Sequence, residues 1–290
     1  MTLKPGTRVH RVVPENAGFL VETSRGPFQA STVVMATGGL SLPKTGSDGA
    51  GLRMAHALGH SIVATTPALA PLVVKDGFHA AVSGVSQDVV LSLWVRGRAM
   101  QRINGAMLWT HFGVSGPAAL DFSRHYLRAK LEGGDPRVTV ALTPGETFDS
   151  VDARWSMLAA SRPRLAIRNA LAESVPASVS SALLASLQID EDTRLGSLTR
   201  DARRSLSHAL SELPLAVSDS RGYNYAEATA GGVSLDEIDP SSMESRKCPG
   251  LYLVGEMLDV DGRLGGFNFQ WAWSSGRAAA EGLAKRFAAA

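Results

Sequence analysis

The stretch STVVMATGGLSLPKTG, Ser31 to Gly46, decides how the rest of the chain is read. Val33, Val34, Met35 and Ala36 form a short apolar run that breaks into Thr37-Gly38-Gly39. This pattern predicts a buried strand emptying into a tight, side-chain-free turn, where a backbone can press against a nucleotide. Directly downstream, DGAGLRMAHALGH (48–60) places apolar residues at Leu52, Ala55 and Leu58 and offers Gly59 as a C-cap, so a helix follows. Strand, glycine turn and helix make one β-α unit. In nucleotide-binding α/β folds a first glycine-rich turn usually lies upstream of such a unit. Here only 30 residues precede Ser31.

Bulk composition narrows the class. The chain has 290 residues, 44% hydrophobic and 19% charged, which supports one large core or two ordinary ones and excludes a disordered polymer. No run approaches the roughly 18 apolar residues of a membrane span, and MTLKPGTRVHRVV lacks the apolar centre of a signal peptide. A single cysteine, Cys248, excludes an internal disulfide framework and fits a reducing compartment, so a cytoplasmic location is expected. Net charge is only +2, carried mostly by arginine, since lysine occurs at 4, 44, 75, 130, 247 and 285 alone. The densest basic stretch, WVRGRAMQR (94–102), reads as a solvated strand-turn edge. A nucleic-acid domain usually carries a stronger footprint, so no nucleic-acid partner and no membrane partner are expected.

Outward from the opening stretch the texture changes several times. Residues 1–40 read as extended pieces, RVHRVV and GFLVETSRG, joined by ENAG (15–18) as a hairpin turn. From 61 to 145, short β-rich segments separated by Gly and Pro suit a small barrel or sandwich. Residues 146–212 are rich in Ala, Leu and Arg with helical periodicity, and Asp149, Ser161 and Thr199 are the expected caps. Strand texture returns in LPLAVSDSRG and YAEATAGGVS, then LYLVGE (251–256) and a glycine-led helix beginning near Asn268. The simplest account is an α/β domain interrupted by insertions. Its segments would be 1–62 and 225–290, with a β-barrel insert at 63–145 and 213–224 and a helical subdomain at 146–212.

Two sites share one grammar of apolar strand, glycine and helix: VVMATGG before the helix at 51–58, and LYLVGE with MLDVDGRLGG before the last helix. Each frees a backbone near a helix N-terminus, which favours an anion or a polarised carbonyl. Other constellations carry less. His56 and His60 are four apart, but an amphipathic face accounts for them and no HExxH motif is present. HFGVSGP (111–117) is not a nucleophile elbow. Cys248 has no neighbouring base and reads as inert. Asp259 and Asp261 are turn formers or partners for a ribose or ribityl hydroxyl. Phe267 and Trp271 are candidates to face a flat ring. No metal site and no catalytic acid or base is assigned.

The long segments ATGGLSLPKTGSDGAGLRMAHALGH, PALAPLVV, THFGVSGPAALDFSR and EATAGGVSLDEIDPSSMESRKCPGLYLVGEMLDVDGRLGGFNFQWAWSSG resemble the YhiN/BaiN-type flavoproteins, bacterial NAD(P)/FAD-dependent oxidoreductases also called aminoacetone oxidase-like. The resemblance covers about residues 1–285. It implies a Rossmann-like FAD-binding domain in two segments, a β-barrel insert and a helical subdomain. Carried onto this chain, Ala36, Thr37, Gly38 and Gly39 would line the nucleotide side of FAD, and Pro43, Lys44, Thr45 and Gly46 would lie near the isoalloxazine. Gly255, Glu256 and Asp259 would lie by the pyrophosphate and ribityl chain. Gly265, Gly266, Phe267 and Asn268 would set a helix N-terminus against the flavin.

Members of that family begin with a strand, a G-x-G-x-x-G turn and a helix. GSDGAG (46–51) has the wrong spacing and falls after the ATGG turn, so the chain reads as a member with an incomplete Rossmann-like domain, its first FAD-binding segment missing and its FAD affinity weakened or lost. A separate N-terminal fragment would then be a partner. The implied activity is hydride transfer between FAD and a small-molecule substrate, with O₂ or NAD(P)H as the other redox partner. The alternative is a cofactor-free remnant or binding partner that keeps the family shape.

Overall fold

A computed structural model describes residues 2–16, 18–75 and 77–288. The chain divides into a discontinuous unit, Met1–Ala68 with Tyr223–Ala290, and a continuous unit, Leu69–Gly222. The discontinuous unit opens with a three-stranded antiparallel meander, β1 (Val9–Glu15), β2 (Gly18–Thr23) and β3 (Gly26–Ala30). Glu15 pairs with Gly18 across the expected hairpin turn, of which Ala17 lies outside the described residues. β4 (Val33–Met35) and α1 (Ala50–Ala57) then form the strand and helix expected around the ATGG turn, with a 3-10 turn at Pro43–Thr45 between them. Gly59 closes α1 at φ +93, a conformation that suits glycine alone, and β5 (Ile62–Ala68) follows.

The continuous unit holds β6 (Leu72–Val74), α2 (Phe78–Ala81), β7 (Ser86–Val95), β8 (Arg98–Thr110) and β9 (Gly113–Ser115). After these come α3 (Gly116–Leu131), β10 (Arg137–Ala141), α4 (Phe148–Ser161), α5 (Ile167–Leu171), α6 (Ala177–Ser186), α7 (Arg200–Glu212), β11 (Leu213–Leu215) and β12 (Val217–Ser220). Its strands make one antiparallel seven-stranded sheet in the order β11-β10-β7-β8-β9-β6-β12. β7 and β8 are joined by a two-residue turn in which Arg96 and Gly97 both have positive φ, +50 and +77. The twist of a tight hairpin demands that conformation.

Two expectations need correction here. Residues 116–131 carry no strand: they form a 16-residue helix, started by Pro117 and burying Ala118, Ala119, Phe122, Tyr126 and Leu127 on one face. The caps also shift. Thr147, not Asp149, caps α4 in a reciprocal box with Ser150, Asp149 falls in the first turn, and Ser161 is the last residue of α4. Thr199 does cap α7, accepting from the Ala202 N–H at 3.2 Å. Thr147→Ala should therefore cost about 1 kcal/mol in a denaturation titration. Ser161→Ala should stay within about 0.5 kcal/mol, its hydroxyl only donating back to the Met157 carbonyl. Sheet and helices share a single core that includes Leu91, Trp109, Phe122, Trp155, Leu171 and Leu206.

The chain re-enters the discontinuous unit with β13 (Ala228–Val233), antiparallel to β5, and β14 (Leu251–Leu253), parallel to β4 in register Leu251↔Val33. Leu251, Tyr252 and Leu253 are all buried, as expected of a parallel strand covered on both faces. They join Met35, Leu52, Ala55, Val233, Met257 and Ala279 in this unit's own core. The last element, α8 (Phe267–Ala288), follows Gly265 and Gly266, which have φ +122 and +88.

Candidate functional site

β4 and β14 end together, the Val254 N–H donating to the Met35 carbonyl at 3.1 Å. The two glycine turns singled out in the sequence, Ala36–Gly39 and Gly255–Met257, therefore leave neighbouring carboxyl ends of one parallel pair, where α/β folds place their ligands. The glycines do different jobs. A Cβ on Gly51 would lie 1.8 Å from Thr37 Oγ1, one on Gly39 2.5 Å from Thr229 Oγ1, and one on Gly38 2.7 Å from Ser47 Oγ. These three let the protein close on itself. At Gly46 and Gly266, both with positive φ, a Cβ would meet nothing within 4 Å.

Glu256 is a strut. Its Oε1 accepts from the Ser41 hydroxyl and from the Thr229 N–H, both at 2.7 Å. Thr229 Oγ1 in turn accepts from the N–H groups of Leu40 and Ser41, at 2.8 and 3.1 Å. One carboxylate and one hydroxyl thus fix the loop after the ATGG turn to β13. The second turn is bolted to α8: the Gly255 N–H donates to Ser275 Oγ at 2.9 Å and the Trp271 indole N–H to the Gly255 carbonyl at 3.1 Å. Asn268 clamps the preceding loop, accepting from the Gly262 N–H at 2.7 Å and donating to its carbonyl at 3.2 Å. The Asp259 N–H donates to the Val233 carbonyl. Pro43, Lys44 and Thr45 form the 3-10 turn, with Lys44 exposed. Phe267 is half exposed beneath the Arg263 guanidinium at 4.7 Å. Sequence reasoning did not single out Ser41, Thr229 or Ser275; their signal is a hydroxyl placed inside an otherwise apolar or glycine-rich run.

Elsewhere in this unit a buried polar cluster ties β5 to the loop before β14. His60, 1% exposed, holds Glu237 Oε2 through Nδ1 at 2.9 Å and the Ser245 hydroxyl through Nε2 at 2.8 Å. Glu237 also accepts from the Ser61 N–H at 2.9 Å and from Lys247 Nζ at 2.6 Å. Burial alone would raise its pKa, but the donors Lys247, Ser61 and His60 outweigh this and hold it at about 2. The order Ser–His–Glu invites a hydrolase reading, yet Ser245 is 5% exposed and accepts the N–H groups of Lys247 and Cys248. The cluster is a structural tie. It also takes both ring nitrogens of His60, so His56 and His60 do not pair as metal ligands. Burial pushes the Cys248 thiol pKa up, as suits an inert side chain.

A family model described as the HI0933-like protein Rossmann domain matches residues 1–282. The chain belongs to the HI0933-like family. Among its relatives, the 3-dehydro-bile acid delta(4,6)-reductase of Clostridium scindens is 31% identical over 97% of this chain and 69% of its own length. The ribosomal RNA dihydrouridine synthase of Escherichia coli is 31% identical over 98% of this chain and 68% of its own. That of Haemophilus influenzae is 29% identical over 94% and 65%. The HI0933-like chain therefore spans about two thirds of the length of these relatives. Among its described residues no helix is long and apolar enough to cross a membrane, and no three His, Cys, Asp or Glu side chains group as a metal site.

Proposed function

We propose that this HI0933-like protein binds FAD at the paired glycine turns and is an oxidoreductase moving a hydride between the flavin and a conjugated organic substrate, with NAD(P)H as the external donor. One observation carries the reading: two glycine turns leave adjacent carboxyl ends of a parallel strand pair, with open space beside Gly46 and Gly266. The residues present suit a long, flat, anionic ligand. Exposed Gly265 and Gly266 bring backbone N–H groups to the start of α8, whose dipole favours negative charge by about 0.3–1 kcal/mol. Phe267 offers an exposed apolar face beside them. Bound FAD would supply the hydride chemistry itself. Glu256, Thr229, Trp271 and Ser275 orient the two turns from behind, and Pro43–Gly46 offers the remaining edge. The two activities named among the relatives share a chemistry, since a delta(4,6)-reductase and a dihydrouridine synthase both saturate a C=C bond conjugated to a carbonyl.

A second reading, a cofactor-free scaffold, is favoured by one fact: the side chains of Glu256 and Asn268 are already engaged within the protein. Titration of the purified protein with FAD, followed by desalting and an absorption spectrum, separates the two. Retained flavin absorbance is expected. Glu256→Gln should loosen the strut and weaken FAD binding about tenfold, roughly 1.4 kcal/mol, with secondary structure unchanged. A protein that stays colourless supports the scaffold and sinks the flavoenzyme reading.

A further inference from the structure

The sheet of the continuous unit carries an open edge on one of its inner strands. β9 is only Gly113–Ser115 and covers β8 from Leu108 to Thr110. The chain then leaves the sheet at Gly116 to form α3, so from Arg98 to Gly105 β8 pairs with β7 alone among the described residues. The Trp109 N–H donates to the Val85 carbonyl at 2.9 Å. The register is unbroken from Leu108 to Gln101, so strand alternation turns the backbone N–H and C=O groups of Arg102 and Asn104 to the open side. Both residues are exposed. Side chains divide between the two faces of the sheet. Arg98, opposite Val95, lies on the face that α3 covers, and Arg102, opposite Ser92, lies on the other. On the α3 face a cleft of about 780 Å³ is walled by Leu93, Val95, Met100 and Ala129 and rimmed by Arg96, Arg98 and Arg128. Met100 is 62% exposed there.

We propose that β8 accepts, along Arg98–Gly105, an extended acidic segment of another protein, which adds a strand to the sheet and lays alternate side chains over the cleft. A bare strand edge is a template for a further strand, with main-chain bonds supplying affinity and side-chain pockets the choice of partner. Charge makes that choice here. Among the described residues the guanidinium groups of Arg96, Arg98 and Arg102 have no ion-pair or hydrogen-bond partner, and Glu132 alone lines the cleft with a carboxylate. A strand with carboxylates on both faces meets Arg98 on one side of the sheet and Arg102 on the other, while its apolar residues meet Leu93, Val95 and Met100. Arginine forks match carboxylate oxygens. A second copy of β8 fits badly, because it would set these arginines against their own kind. The strand-turn edge expected of WVRGRAMQR is therefore a docking strip as well as a solvated surface. The inference stands apart from the flavin reading and uses none of its residues.

The test is fluorescence anisotropy of the purified protein with a labelled peptide of about nine residues built of Glu-Glu-Leu repeats, and with a Lys-Lys-Leu peptide of the same length as control. Only the acidic peptide should bind. Raising KCl from about 50 to about 200 mM should weaken it severalfold. Arg98→Glu with Arg102→Glu should weaken it at least about tenfold, with circular dichroism unchanged. Asn104→Pro removes a main-chain donor that strand alternation leaves unused in the fold, and should weaken binding about tenfold at unchanged secondary structure. Absent binding at low salt, equal binding of the lysine peptide, or an arginine double variant that binds as the parent does would each overturn the proposal. So would an Asn104→Pro protein of parental affinity, which would mean a charge contact without an added strand.

Discussion

Gly51→Ala should destabilise the protein by about 3 kcal/mol, although alanine inside a helix ordinarily gains about 1 kcal/mol over glycine. The sign reverses because of one neighbour. Gly51 lies in the first turn of α1, and a methyl there would stand 1.8 Å from Thr37 Oγ1 and 2.6 Å from Thr37 Cβ. Neither atom is the far end of a flexible chain, so the helix must withdraw from the ATGG turn. Urea denaturation of the single variant checks the magnitude, and the double variant with Thr37→Gly checks the cause. Removing the Thr37 side chain should restore most of the lost stability. A Gly51→Ala protein as stable as its parent would mean that α1 and the turn are not packed together as described.

The second large effect belongs to Glu237 and depends on pH. Its carboxyl is held at about 2, against 4.5 for a free glutamate. A depressed carboxyl stabilises the fold above the unfolded value and loses that contribution as the pH falls through the folded one. At about 1.36 kcal/mol per pH unit, the tie contributes about 3 kcal/mol near neutrality, lost between roughly pH 4.5 and pH 2. Glu237 is mostly buried, so solvent screening takes little from this figure. Glu237→Gln should lower stability at pH 7 by about that amount and flatten the acid limb. The two proteins should then converge near pH 2. Denaturation midpoints measured over the acid range decide it; parallel curves would show that another carboxylate sets the acid limit.

How much of this could be read in the sequence depended on how local the signal was. β4, α1, β14 and α8 were legible because each is a continuous apolar or periodic run bounded by glycine. α3 was not, although Pro117 and the spacing of Ala118, Phe122 and Tyr126 announce a helix. It follows two long strands, β7 and β8, whose β-rich texture masks the change of period. The register of Val33 with Leu251 has no local signature at all. At the candidate site the glycine turns were legible as places, but their use was not. That a Cβ on Gly38 or Gly39 would meet Ser47 or Thr229, and that Glu256 spends its carboxylate on Ser41 and Thr229, has no mark in the sequence. Residue type announces such a position; only packing tells which way it faces.

The pairing of β4 with β14 also sets an order of events on the ribosome. β4 leaves the exit tunnel with Val33, Val34 and Met35 uncovered, and its partner is translated more than two hundred residues later. At 5–20 residues per second that delay is roughly 10 to 40 s. The whole of Leu69–Gly222 is synthesised in the interval and carries its own core, so it can collapse first. The nascent chain must therefore hold β4 in waiting, a natural stage for a holdase chaperone to cover it.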